Sequence, residues 1–290
     1  MMHRCRGAAV LLAAASLCTA AHAGVSVPLA LEKGIPVAQL TIDGATFPFT
    51  FDIGSSRTVH LTRDVMAKIP GLRLTGRKQR SADLAGKVRE EEEFVIPDLV
   101  INGVAFGEVT GVSYEAWGLN IGKEAGPPPH SVIGLGLFAQ QPFVYDQSAR
   151  TLRFGAPLDA GPGWQALPHE KVHEGIVTTL SNGRASYRLV FDSAASISLV
   201  KPQSVQAQKD DTAPCDLFGP GKPCRTVSLA LPGGGAVKPY LMPLPEFFQP
   251  DGIVGADFFG QRAVYVDLAN GKVAVRPTGQ AGAQEESRGR

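Results

Sequence analysis

The sequence predicts a mostly-β chain built from two copies of one unit, and three observations lead there. First, a hydrophobic run ending in an acid, Phe49-Thr50-Phe51-Asp52-Ile53-Gly54-Ser55-Ser56, is answered much later by Val132-Ile133-Gly134. The same pattern returns as Leu189-Val190-Phe191-Asp192-Ser193-Ala194-Ala195-Ser196, answered by Ile253-Val254-Gly255. Second, residues 132–154 align with 253–275 without a gap, matching Gly134 with Gly255, Phe138 with Phe259 and Asp146 with Asp267. Third, the apolar segments are short and alternate at a period of two, as half-buried strands do. Two long copies imply two lobes rather than a solenoid.

Taken along the chain, Ala38, Leu40 and Ile42 lead into Asp43-Gly44, a tight-turn signal, after which Phe47, Phe49 and Phe51 alternate. Ser181-Asn182-Gly183 plays the same part before Tyr187, Leu189 and Phe191. Residues 95–104 and 227–231 also read as strands, while 61–69 and 137–141 allow a turn or two of helix. The 33 glycines and 22 prolines punctuate the rest. The expected organisation is a first lobe over 24–156, a Gly/Pro-rich linker over 157–163 and a second lobe over 164–277. The polar tail, 278–290, is expected to be disordered.

The first 23 residues read as a secretory signal peptide. They hold a basic start (His3, Arg4, Arg6), an apolar stretch too short to span a bilayer, and Ala21-His22-Ala23 ahead of the cleavage point. The expected location is therefore periplasmic or secreted, with no membrane span after cleavage. Removing this segment takes away two arginines and no acid, so 28 basic against 27 acidic residues become 26 against 27. That balance gives no footprint for nucleic acid. Cys215 and Cys224 stay in the exported part, and their spacing in a Pro/Gly-rich segment is that of a disulfide-closed loop, with a reduced pair as the alternative.

Two acids at equivalent strand-to-loop corners are suited to one chemistry. Hydrolysing an amide without a metal needs a base to activate water and an acid to protonate the carbonyl oxygen or leaving nitrogen. Two carboxyl groups about 3 Å apart cannot both ionise readily, so one shared proton lets the pair do both jobs.

Both motifs, in both halves, resemble the pepsin/retropepsin family of aspartic proteases in its two-lobed, single-chain form, over roughly residues 30 to 277. The resemblance implies an all-β, internally duplicated fold with Asp52 and Asp192 as a catalytic dyad across a cleft. It implies Gly54, Ser55, Ser193 and Ala194 as supports, with Ser55 donating to Asp52. It also implies Ile133-Gly134 and Val254-Gly255 as strands threading the aspartate loops, and a lid hairpin over 81–94 with its tip at Ala85-Gly86. The function implied is an exported endopeptidase acting on a peptide or unfolded-protein substrate, with no cofactor or metal, as a monomer. Two departures favour an alternative, a catalytically weak or inactive peptide- or protein-binding module. Ile53 lacks the hydroxyl that ties the two loops in the family, and Ala194 stands where glycine is usual.

Three other signals compete. His169-Glu170-Lys171-Val172-His173 matches the zinc-protease motif H-E-x-x-H, but that motif needs a helix and a further ligand, and Pro168 and Gly175 bracket it, so it reads as a strand entrance. His60 reads as a surface or strand-end residue, and the run Arg89-Glu90-Glu91-Glu92-Glu93 as a solvated hairpin arm. Asp146 and Asp267 read as turn residues, and Phe138 and Phe259 as core.

Overall fold

The computed structural model of the chain describes residues 24–116, 129–155, 158, 160–205, 211–214 and 223–278. The signal segment, Cys215 and nearly all of the tail lie outside them. The architecture is two lobes of β-sheet. A thirteen-stranded sheet carries the first lobe and the junction, and a ten-stranded sheet carries the second lobe.

The turns arise where the sequence places residues that tolerate positive φ. Asp43 and Gly44 lie at φ 48° and 78° and join strands Ile35–Ile42 and Ala45–Asp52. Both angles are positive, as a two-residue hairpin turn matched to strand twist requires. Asn102 and Gly103, at φ 50° and 83°, do the same between Val88–Ile101 and Val104–Ser113. The expected strand over 95–104 is thus the end of one strand and a turn into the next. The expected strand over 227–231 shortens to Leu229–Ala230. The helical expectations reduce to one turn each, Arg63–Met66 and a 3-10 turn at Leu135–Phe138.

The duplication is visible in the pairing. Strands Phe143–Asp146 and Arg262–Asp267 run antiparallel, with Val144 opposite Tyr265, its own counterpart in the other copy. A pseudo-twofold axis therefore passes through this junction, where strands from both halves share one sheet. One apolar core follows it through both lobes. Phe51 packs against Phe138 at 5.9 Å between ring centroids, and Phe191 against Phe259 at 5.8 Å. The same Phe–Phe contact thus backs each aspartate loop, and large aromatic rings in such contacts dominate core energetics. Asp146 and Asp267 cap the turns after their strands, accepting from Ala149 and Asn270 N–H groups at 2.9 and 3.1 Å. They are turn residues, as expected.

The charge run is not a solvated arm. Strand Val88–Ile101 alternates, leaving Glu90 exposed while Arg89, Glu91 and Glu93 are buried. Each buried member has a partner: Arg89 meets Asp83 at 2.6 Å, Glu91 accepts from Ser81 Oγ at 3.1 Å, and Glu93 accepts from Arg77 Nε at 2.7 Å. Buried charges persist only when paired in this way.

Candidate active site

Asp52 ends a strand and Asp192 directly follows one, and a second strand passes alongside each in parallel. Asp52 ends Ala45–Asp52 and pairs with Gly134 of Ser131–Gly134. Phe191 pairs with Val254 of Gly252–Val254, and the Asp192 N–H donates to Val254 O at 3.0 Å. The two threading glycines are fixed by space. A Cβ on Gly134 would stand 2.2 Å from Arg57 O, and one on Gly255 would stand 2.5 Å from Ala195 O. No real side chain tolerates such contacts, so the hydrophobic-hydrophobic-glycine motif is the condition for the loop to close around its strand.

The two loops bring the acids together. Asp52 Oδ1 accepts from the Gly54 N–H at 2.9 Å, and Asp192 Oδ1 accepts from the Ala194 N–H at 3.0 Å. Gly54 also lies against the other carboxyl group: a Cβ there would lie 2.7 Å from Asp192 Cγ. Both carboxyl groups are pushed above the ordinary carboxylate range. Burial is the main cause for each, and for Asp52 the charge of Asp192 comes next. Asp192 rises to about 6, and Asp52 is raised well above its usual value. Titration belongs to the pair, with two macroscopic steps.

One cross-brace survives between the loops. Ser193 Oγ donates to Phe51 O at 2.7 Å and accepts from the Ile53 N–H at 3.1 Å. Ile53 returns nothing of this kind; its side chain is fully buried in the core. Replacing Ser193 with Ala should leave both backbone groups unpaired in a buried place, costing about 1–3 kcal/mol. A denaturant midpoint lowered at unchanged slope would register that loss. Ala194 is not strained, because it is absent from the residues held at positive φ.

The lid candidate is a real hairpin. Strands Arg73–Ala82 and Val88–Ile101 are joined by a turn in which Asp83 Oδ1 accepts from the Ala85 and Lys87 N–H groups at 3.0 and 2.9 Å. Gly86 supplies the positive φ, 78°. The tip crosses to the other lobe. Leu84 packs against a cluster including Val177, Val190, Leu199 and Ile253, which Ala195 and Ile197 of the second aspartate loop also join.

Sequence reasoning misplaced two residues here. Ser55's hydroxyl lies 3.0 Å from His60 Nε2, and it is the Ser55 backbone N–H that turns back on Asp52, donating to its main-chain O at 3.3 Å. His60 is not at the surface: it is 5% exposed in strand Val59–Leu61, with Nδ1 3.4 Å from Glu91 Oε1. No simple motif marks this pairing, since Glu91 follows 31 residues later within a charge run. His169–Val172 is a strand, so the H-E-x-x-H residues do not share a helical face. Cys224 is buried in strand Pro223–Thr226, and the suggested pairing with Cys215 lies outside the described residues.

The fold and the threaded loops define the pepsin-like, two-lobed aspartic-proteinase architecture. Among solved structures, the chain is similar to an aspartic proteinase from Irpex lacteus, at 14% identity and a TM-score of 0.55, covering 90% of this chain and 99% of that one. It is also similar to basic 7S globulin from soybean, at 11% identity and a TM-score of 0.53, covering 87% and 94%. No family model and no curated protein matches the sequence.

Proposed function

We propose that this chain is an exported aspartic endopeptidase that cleaves extended peptide or unfolded-protein segments in the cleft between its lobes. The observation that carries the reading is the carboxyl pair brought together by the two loops, Asp52 buried and Asp192 half-buried, with both raised in pKa. In the singly protonated pair, the ionised carboxylate accepts a proton from a water whose oxygen attacks the peptide carbonyl carbon. Its protonated partner gives its proton to the carbonyl oxygen, and a tetrahedral diol results. Collapse breaks the C–N bond as the newly protonated carboxyl gives its proton to nitrogen and the other regains one from a diol hydroxyl, so the pair returns to its starting charge. The lid hairpin excludes water during these steps. The N-terminal 23 residues would direct export, and one chain suffices for the site, so a monomer is proposed.

A second reading, a peptide-binding module, is favoured by the single brace at Ile53, and by a fold shared with a protein named as a globulin. Casein cleavage measured from pH 3 to 8, with and without a pepstatin-type inhibitor, separates the two. The protease reading expects inhibitor-sensitive cleavage, strongest in the range where one carboxyl is ionised. Inhibitor binding without cleavage, unchanged in Asp52→Asn, is the result that supports the module.

A further inference from the structure

Ser55, His60 and Glu91 form a chain that the fold itself does not require. Ser55 Oγ lies 3.0 Å from His60 Nε2, His60 Nδ1 lies 3.4 Å from Glu91 Oε1, and Glu91 Oε2 accepts from Ser81 Oγ at 3.1 Å. His60 and Glu91 are 5% and 1% exposed. The other copy supplies an internal control. There Ala195 stands in place of Ser55, and the matching strand Leu199–Val200 carries only apolar, buried side chains. The duplicated architecture thus closes its second aspartate loop without an imidazole–carboxylate pair at this place; there Ser198 Oγ accepts from the Gly255 N–H at 3.0 Å and donates to Asp257 Oδ1 at 2.6 Å instead. Burying an imidazole and a carboxylate costs more than burying two aliphatic groups, so their retention behind one loop alone calls for a use.

Resting on the endopeptidase reading, we propose that His60 and Glu91 are positioning residues for the Asp52 side of the dyad, tying it to the lid hairpin. The charge of Glu91, on the hairpin strand and 3.4 Å from Nδ1, favours a proton there, which leaves Nε2 to accept the Ser55 hydroxyl. That bond sets the rotamer of a residue whose N–H donates to Asp52 O at 3.3 Å and whose carbonyl accepts from the Leu135 N–H at 2.8 Å. The loop is therefore held at three points, one of them reaching the lid. Arg57, in the same loop, also acts on Glu91. The strands flanking His60 bring Val112 and Val132 opposite it, neither charged. The same three residues do not make an acylating serine: the Ser55 N–H, which an oxyanion would need, is already directed at Asp52.

The test combines a spectroscopic and a kinetic arm on the full exported chain. Ring 15N resonances of His60 should place a proton on Nδ1 and none on Nε2, with an Nε2 shift that moves in Ser55→Ala. A proton found on Nε2 overturns the proposal whether or not the protein cleaves peptides. In the kinetic arm, His60→Leu and Glu91→Gln should lower kcat about tenfold or more with KM nearly unchanged, as a loosened catalytic loop would. His60→Gln, which can still present an acceptor to Ser55, should recover most of that loss, and Ser55→Ala should add little to His60→Leu. Thermal midpoints recorded for each variant identify any that fail to fold; Glu91→Gln, the mildest change, then decides. Unaltered kcat in folded variants of a cleaving wild type overturns the positioning role and leaves the protease reading standing. A wild type that cleaves nothing sinks the protease reading, and the role with it.

Discussion

Asp52→Asn is expected to abolish peptide cleavage while making the protein more stable at neutral pH. Loss of a general acid–base partner should lower kcat by about 10²–10⁴-fold or more. The stability gain follows from the direction of the pKa shifts. Both carboxyl groups titrate higher in the folded chain than unfolded, so the folded state holds protons that the unfolded state has released. The dyad's contribution is fully present below the unfolded carboxylate pKa of about 3.9. It is lost as pH rises through about 6, where Asp192 ionises, and further as Asp52 is pressed to follow. Wild-type protein should therefore lose thermal stability between pH 4 and 8 beyond what the variant loses. The midpoints should separate by a few degrees at pH 8, since each kcal/mol is worth about 2–4 °C at this size, and converge near pH 4. Calorimetry at both pH values reads this directly. A variant equally active, or less stable at pH 8, contradicts the account.

Gly54→Ala is expected to damage catalysis more than folding. Gly54 is not held at positive φ, so its backbone suits alanine; the obstacle is space. The new Cβ would lie 2.7 Å from Asp192 Cγ and 3.0 Å from its Cβ and Oδ1. Something must move, and the neighbour that moves is a reacting group. Overpacking of this kind costs about 1–3 kcal/mol in stability, whereas a shift of about 1 Å in a catalytic group can cost 10²-fold in rate. The equivalent position in the other loop already carries Ala194, without positive φ. Ala194→Gly should accordingly change kcat far less. Comparing kcat and unfolding free energy across the two variants checks the asymmetry, and equal effects at both positions would refute it.

The dyad and its surroundings were legible because duplication writes them twice. Asp52 with Gly134, and Asp192 with Gly255, are short patterns that gain weight from each other, and the structure supplies the reason in the backbone contacts a side chain on either glycine would make. Ser193's solitary brace was equally readable, since Ile53 has no hydroxyl to give. The readings that failed concern charges in strands. Arg89 to Glu93 carries ionisable groups on both faces, so period-two reasoning had no apolar face to assign as inward. Only the partners on the neighbouring strand and turn show that Arg89, Glu91 and Glu93 point in. His60 was misread for the same reason, because its partner arrives through tertiary pairing. Asn102-Gly103 was a turn signal present in the sequence and overlooked within an apolar run.

The central claim is that two acids from separate lobes hold one proton between them. Observing the carboxyl carbons of Asp52 and Asp192 by 13C NMR across pH 2 to 9 tests it most directly. The account predicts two coupled steps, both displaced upward, with the earlier near 6 and each nucleus sensing the other's ionisation. Two independent transitions near pH 4, each confined to its own residue, would contradict it.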